Sequence, residues 1–119
     1  MKKLNYAIVF TADMKRSVEF YRDVLGFPLK FESPHWTEFV TEGTTLALHP
    51  AGETPAGVCV PGLVVEDLEA FHREMQVHGV QCLQQPRQAD FGRLALYADL
   101  DGLPLSVGDG HQPETGRRR

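Results

Sequence analysis

Chemistry in this chain has to come from a short set of side chains. The imidazoles are His35, His49, His72, His78 and His111, and the thiols are Cys59 and Cys82. His49 closes an extended run just before Pro50, where it can act as acid, base or hydrogen-bond donor, or simply sit on the surface. A metal site built from His35, Glu38 and His49 needs all three on one side of two neighbouring strands. Alternation puts His35 and Glu38 on opposite sides, which counts against it. His72 reads as the exposed side of a helix, and His78 as its last turn, where a cation suits the helix dipole. The cysteines occupy separate extended segments without CxxC spacing, so they read as buried thiols in a reducing compartment. There is no local Ser-His-Asp or Cys-His signature and no glycine-rich phosphate loop.

Composition narrows the partners. Twelve basic against sixteen acidic residues leave a net charge of −4, and the one basic cluster, Arg117-Arg118-Arg119, ends a polar tail that starts near Gly108. That argues against a nucleic-acid surface, which gathers Lys and Arg into a patch. No apolar run approaches the roughly 20 residues that span a bilayer. The start, Met-Lys-Lys-Leu-Asn-Tyr, lacks the apolar segment and small-residue cleavage site of a signal peptide. A cytoplasmic protein is expected. With 119 residues, 42% of them hydrophobic, one domain is expected over residues 1–110, followed by a polar, disordered tail at 109–119.

The elements that must position these groups come in two similar sets. Leu4–Phe10 reads as a strand, and Met14, Val18, Tyr21 and Leu25 lie on one face of a helix over Asp13–Gly26. Thr11 or Asp13 can cap that helix, and Gly26 ends it. Strands follow at Pro28–Glu32, Trp36–Thr41 and Thr44–His49, the last two joined by a Glu42-Gly43 hairpin signal and preceded by a Ser33-Pro34 turn. Residues 50–57, with two Pro and two Gly, form a linker. Then come a strand at Val58–Val65 and a helix at Glu66–His78 with Leu68, Phe71 and Met75 on its apolar face. Next are a strand at Gln81–Gln85, a loop over Arg87–Phe91 and a strand at Arg93–Ala98. An Asp99–Gly102 turn leads into a last strand, Leu103–Val107.

The order is therefore βαβββ twice, a first module at about 1–49 and a second at about 58–108. Asp13 matches Asp67, 54 residues on, and Gly26 matches Gly79, 53 on. A repeat of this size sets the architecture. Each helix covers one face of a small sheet and leaves the other face for a ligand or a partner. The expected fold class is α+β: a curved, mixed sheet of eight strands with both helices on the convex side and a concave interior.

The segment from Asp13 to Phe27, Asp-Met-Lys-Arg-Ser-Val-Glu-Phe-Tyr-Arg-Asp-Val-Leu-Gly-Phe, resembles the first helix of the vicinal oxygen chelate superfamily. That group contains glyoxalase I, the fosfomycin-resistance enzymes, extradiol dioxygenases and the bleomycin-resistance proteins. Gly43–Leu48 resembles its fourth strand and Asp99-Leu-Asp-Gly102 its late turn, with Leu100 in place of the usual proline. The similarity runs over roughly residues 4 to 108. It implies a divalent metal held by His or Glu from four positions on the concave face. Here those positions are Tyr6, Ala47, Val60 (Val58 with a two-residue slip) and Ser106. Val60 and Ala47 have no donor atom, and Tyr6 and Ser106 are poor ligands near neutral pH. No metal and no cofactor is expected.

By the same resemblance Tyr6, Ile8 and Phe10 face the concavity, with Thr45, Ala47 and His49 beside them and Leu46 and Leu48 under the helix. Arg93, Ala95 and Tyr97 are expected to join them, since Leu94 and Leu96 suit the helix side; Pro104 and Ser106 come from the last strand. The third strand is open: either Trp36, Glu38 and Val40 or His35, Thr37 and Phe39 face inward. Cys59 is expected toward the helix layer. The expected ligand-binding set is Tyr6, Phe10, Trp36, Glu38, His49, Arg93, Tyr97 and Ser106. Such a lining binds flat or apolar molecules by stacking, unless the aromatics simply fill the space or meet a partner subunit.

Two functions fit. One is a metal-independent protein, similar to the bleomycin-resistance members, that sequesters an aromatic or cationic compound. The other is a lyase, isomerase or dioxygenase with its metal relocated around His35 and His49. The residues lean towards binding rather than catalysis. A third possibility is a subunit whose cavity is vestigial. Family resemblance implies a two-fold homodimer.

Overall fold

The computed structural model describes residues 2–89 and 92–110. His111, Arg117–Arg119 and nearly all of the expected tail lie outside the described residues. The elements are β1 (Lys3–Thr11), α1 (Met14–Glu19), β2 (Leu29–Phe31), β3 (Thr37–Phe39), β4 (Thr45–Pro50), β5 (Cys59–Val64), α2 (Leu68–Val77), β6 (Cys82–Ala89), β7 (Gly92–Ala98) and β8 (Pro104–Gly108). The strands form one mixed sheet in the order β2-β3-β4-β1-β5-β8-β7-β6, the α+β class expected. Contacts divide the chain into two compact units, Asn5–Val60 and the remainder from Pro61 together with residues 2–4.

In the first unit β1 and β4 run parallel, with Ile8 opposite Ala47 and Phe10 opposite His49. β3 is antiparallel to β4, with Glu38 opposite Ala47. One face of this sheet is closed by α1. Val18, Phe39 and Leu48 are fully buried there, with Val9, Met14, Tyr21, Leu29 and Leu46 around them. The helix begins where expected: the Asp13 carboxylate accepts the Arg16 N–H at 3.1 Å, satisfying a backbone donor that has no partner inside the helix.

Its end differs from the regular helix expected. After Glu19 the chain continues as a π-helical turn, Phe20–Val24, with the Leu25 N–H bonded to the Phe20 carbonyl and that of Phe27 to Tyr21. A wider turn advances the chain by less rotation per residue than the α-helix it replaces. Leu25 therefore leaves the apolar stripe and stands half exposed, and Phe27 takes its place in the core. Gly26, at φ 83°, makes the exit, a conformation that costs other residues a Cβ clash.

In the second unit α2 repeats the device, with the Asp67 carboxylate accepting the Ala70 N–H at 3.0 Å and Gly79 at φ 72°. Leu68 and Phe71 pack with Val65, Ala95, Tyr97 and Val107. β6 is longer than expected, so Arg87–Ala89 belongs to a strand rather than a loop. Ladder pairing with β7 (Arg87 opposite Leu94, Gln88 opposite Arg93) supplies hydrogen bonds that the polar side chains gave no sign of. The 99–102 turn is closed by Asp99, whose Oδ1 accepts the N–H groups of Asp101 and Leu103.

Candidate functional site

The open alternative on the third strand resolves in favour of Trp36 and Glu38. Because Glu38 is paired with Ala47, and Ala47 with Ile8, those side chains share the face that α1 does not cover. There Ile8, Ala47 and Val60 are buried, with Tyr6, Phe10, Trp36 and Val58 packed on them. His35 lies exposed in the turn before β3, and Thr37 and Phe39 point under α1, Thr37 Oγ1 standing 3.5 Å from the Met14 sulfur.

The turn also presents Trp36. Ser33 Oγ accepts the backbone N–H groups of Trp36 (3.0 Å) and His35 (3.2 Å) and donates to the Trp36 carbonyl at 2.9 Å. With its backbone held, the indole turns its N–H onto Glu38 Oε2 at 2.7 Å. Glu38 is only 4% exposed. Its other oxygen has the Lys30 ammonium at 3.8 Å.

Around this pair runs a continuous row of rings. Tyr6 meets Trp36 edge to face at 5.5 Å between centroids, Trp36 meets His49 at 6.3 Å, and His49 meets Phe10 at 4.9 Å. The two contacts of Trp36 are edge to face, an arrangement favoured by the ring quadrupoles, while Phe10 and His49 are tilted by 39°. His49 Nδ1 lies 2.8 Å from the Pro50 carbonyl. A carbonyl only accepts, so the proton of a neutral imidazole is on Nδ1 and Nε2 is an acceptor. The arrangement can stack a flat molecule and fix it through one buried carboxylate and one imidazole nitrogen.

Two expected members are elsewhere. Arg93 and Tyr97 face α2, reversing the orientation expected for β7. Tyr97 is 1% exposed, packs against the Phe71 ring at 5.4 Å and is hydrogen-bonded through its hydroxyl to His72 Nδ1 at 2.9 Å. Arg93 Nη2 bonds the Glu69 carboxylate on the same helix. Hydropathy favours Leu94 and Leu96 for the helix side over the face with Arg93, Ala95 and Tyr97, and the structure reverses that choice. The pairing with β8 decides it: Tyr97 lies opposite Leu105 and Ala95 opposite the buried Val107. Ser106, opposite Leu96, lies on the face away from Tyr97. His72 is accordingly half-buried rather than a surface residue. Burial, helped by Cys82 and Glu69, pushes the Tyr97 phenol up to about 12. Neither thiol is buried as expected: Cys59 is exposed and Cys82 partly so.

The four positions where the resemblance places metal ligands are occupied by Tyr6, Ala47, Val60 and Ser106, of which Ala47 and Val60 offer no lone pair to a cation. Among the described residues no three His, Cys, Asp or Glu side chains stand close enough to hold a metal ion. No helix among them is long and apolar enough to cross a membrane. The donor set does not fit a divalent metal.

Residues 3–107 match the family model of the glyoxalase/bleomycin resistance protein/dioxygenase superfamily. The chain belongs to that superfamily. Among its relatives is the phenazine antibiotic resistance protein EhpR of Enterobacter agglomerans, 27% identical over 116 residues that cover 87% of this chain and 88% of EhpR. Two solved structures share the fold. One, described as an NAD-dependent benzaldehyde dehydrogenase from Legionella pneumophila, has a TM-score of 0.77 at 24% identity, covering 88% of this chain and 97% of its own. The other, a superfamily member from Vibrio splendidus, has a TM-score of 0.73 at 18% identity, covering 92% and 99%.

Proposed function

We propose that this protein is a metal-independent small-molecule binding protein that sequesters a planar aromatic or cationic compound, in the manner of the resistance members of its superfamily. The observation that carries the reading is the row Tyr6, Trp36, His49 and Phe10 beside the Glu38 carboxylate. It lies on the face where catalytic relatives carry metal ligands and where this chain has Ala47 and Val60. Stacking on such a row needs no metal and breaks no bond. The relation to EhpR supports a planar nitrogen heterocycle as the first compound to try. The protein acts in this proposal as a cytoplasmic homodimer of one domain, and light scattering on the purified chain tests the dimer.

Trp36 is the only tryptophan in the sequence, so its emission reports on the site directly. Titration with phenazine and a panel of planar aromatics should quench it saturably, with the same Kd by calorimetry. Trp36→Phe and Tyr6→Ala should weaken the calorimetric affinity. A panel in which no planar compound binds sinks the proposal. Stoichiometric zinc, nickel, manganese or iron in protein purified without a His tag would instead favour the relocated metal enzyme around His35 and His49.

A further inference from the structure

We infer that the site selects cations, and that Glu38 is the residue that imposes the choice; the inference rests on the aromatic row being a binding site. Glu38 is a buried carboxylate with unequal oxygens. Oε2 takes a short hydrogen bond from the Trp36 indole, while Oε1 faces the Lys30 ammonium at 3.8 Å, beyond hydrogen-bond length. A carboxylate has about four lone-pair sites, and on a side chain only 5% exposed a charged donor within hydrogen-bond length gains more than an ammonium at 3.8 Å. Lys30 compensates weakly, because its side chain is 47% exposed and its charge is shared with water. Lys30 can move into solvent at little cost and leave Oε1 to a better donor.

A flat ring carrying a protonated N–H group is that donor. Its hydrogen bond to Oε1 would be short and charge-assisted, and its positive charge would lie against the Tyr6 and Trp36 rings, whose faces attract cations. An anionic ring system stacked in the same place would bring its charge against the buried Glu38. A neutral ring would gain the stacking and leave Lys30 where it is.

Three compounds of one ring shape separate these cases: proflavine, a cation with N–H donors; acridine, neutral at slightly alkaline pH; and acridine-9-carboxylate, an anion. Calorimetry on the full chain should show proflavine binding at least roughly tenfold tighter than acridine, the scale of one hydrogen bond to a charged group, and the carboxylate weakest. Glu38→Gln keeps an acceptor for the indole and removes the charge. It should bring the proflavine-to-acridine ratio close to one. Lys30→Met should raise the ratio, whereas Lys15→Met, an exposed lysine on α1, should leave it alone. The carboxylate binding as tightly as proflavine, or a ratio that survives Glu38→Gln, overturns the inference while the binding site stands. If Glu38→Gln does not fold, a ratio unmoved by Lys30→Met overturns it. If none of the three compounds binds, both the inference and the reading beneath it fall.

Discussion

Tyr97 offers the sharpest test of how the second unit is built. Its ring is enclosed by Phe71 and His72 of α2, and burial raises its phenol from the ordinary 10.0 to about 12. In the unfolded chain it ionises at the ordinary value. Between pH 10 and pH 12 the unfolded state has therefore lost a proton that the folded state keeps. Linkage then makes stability fall as pH rises, because the native state binds more protons. The contribution is fully present below pH 10 and gone above pH 12. Its slope approaches about 1.4 kcal/mol per pH unit, so roughly 2–3 kcal/mol disappears across the window. Urea unfolding of wild type and Tyr97→Phe, repeated through that range, isolates it: lysines titrate in both proteins, but only the wild type should lose this increment. The variant should lose about 0.5–1.5 kcal/mol near neutral pH with the His72 hydrogen bond. Phenolate absorbance gives an independent reading: wild type should show a late or unfolding-linked ionisation that Tyr97→Phe lacks. Parallel slopes for the two proteins, with no late phenolate step lost in Tyr97→Phe, would refute the burial of Tyr97 under α2.

Further outcomes follow from single features. Gly26→Ala should cost about 1 kcal/mol in urea unfolding, because φ 83° suits glycine although no atom lies within 4 Å of the added Cβ. Asp67→Ala should remove about 1 kcal/mol by orphaning the Ala70 N–H at the start of α2, and Asp67→Asn should recover most of it. Dialysis against a chelator should leave both the thermal midpoint and the phenazine-type titration of Trp36 unchanged; loss of binding restored by one divalent metal would contradict the donor chemistry at Ala47 and Val60. Cys59, being exposed, should react with a thiol reagent in native protein well before Cys82.

Much of this protein is legible along the chain. The two aspartate caps and two exit glycines mark the helices because end groups are satisfied locally, within three residues. In β1 and β4 alternation groups Tyr6, Ile8 and Phe10 on one face and Leu46 and Leu48 on the other, and the family resemblance says which of the two meets the helix. β7 defeated the same reasoning. Hydropathy favours Leu94 and Leu96 for the helix side, and only the register with β8 and the packing of Phe71 decide that Tyr97 goes there instead. The π turn is equally invisible, because Leu25 and Phe27 are both good core residues and the choice between them depends on what the helix meets. Glu38 is the plainest case. Alternation makes Glu38 a candidate only on one of two open parities of its strand and gives it no partner. Its burial, its indole donor and its place opposite Ala47 come from pairing between strands, where residues far apart in sequence are brought within hydrogen-bond reach.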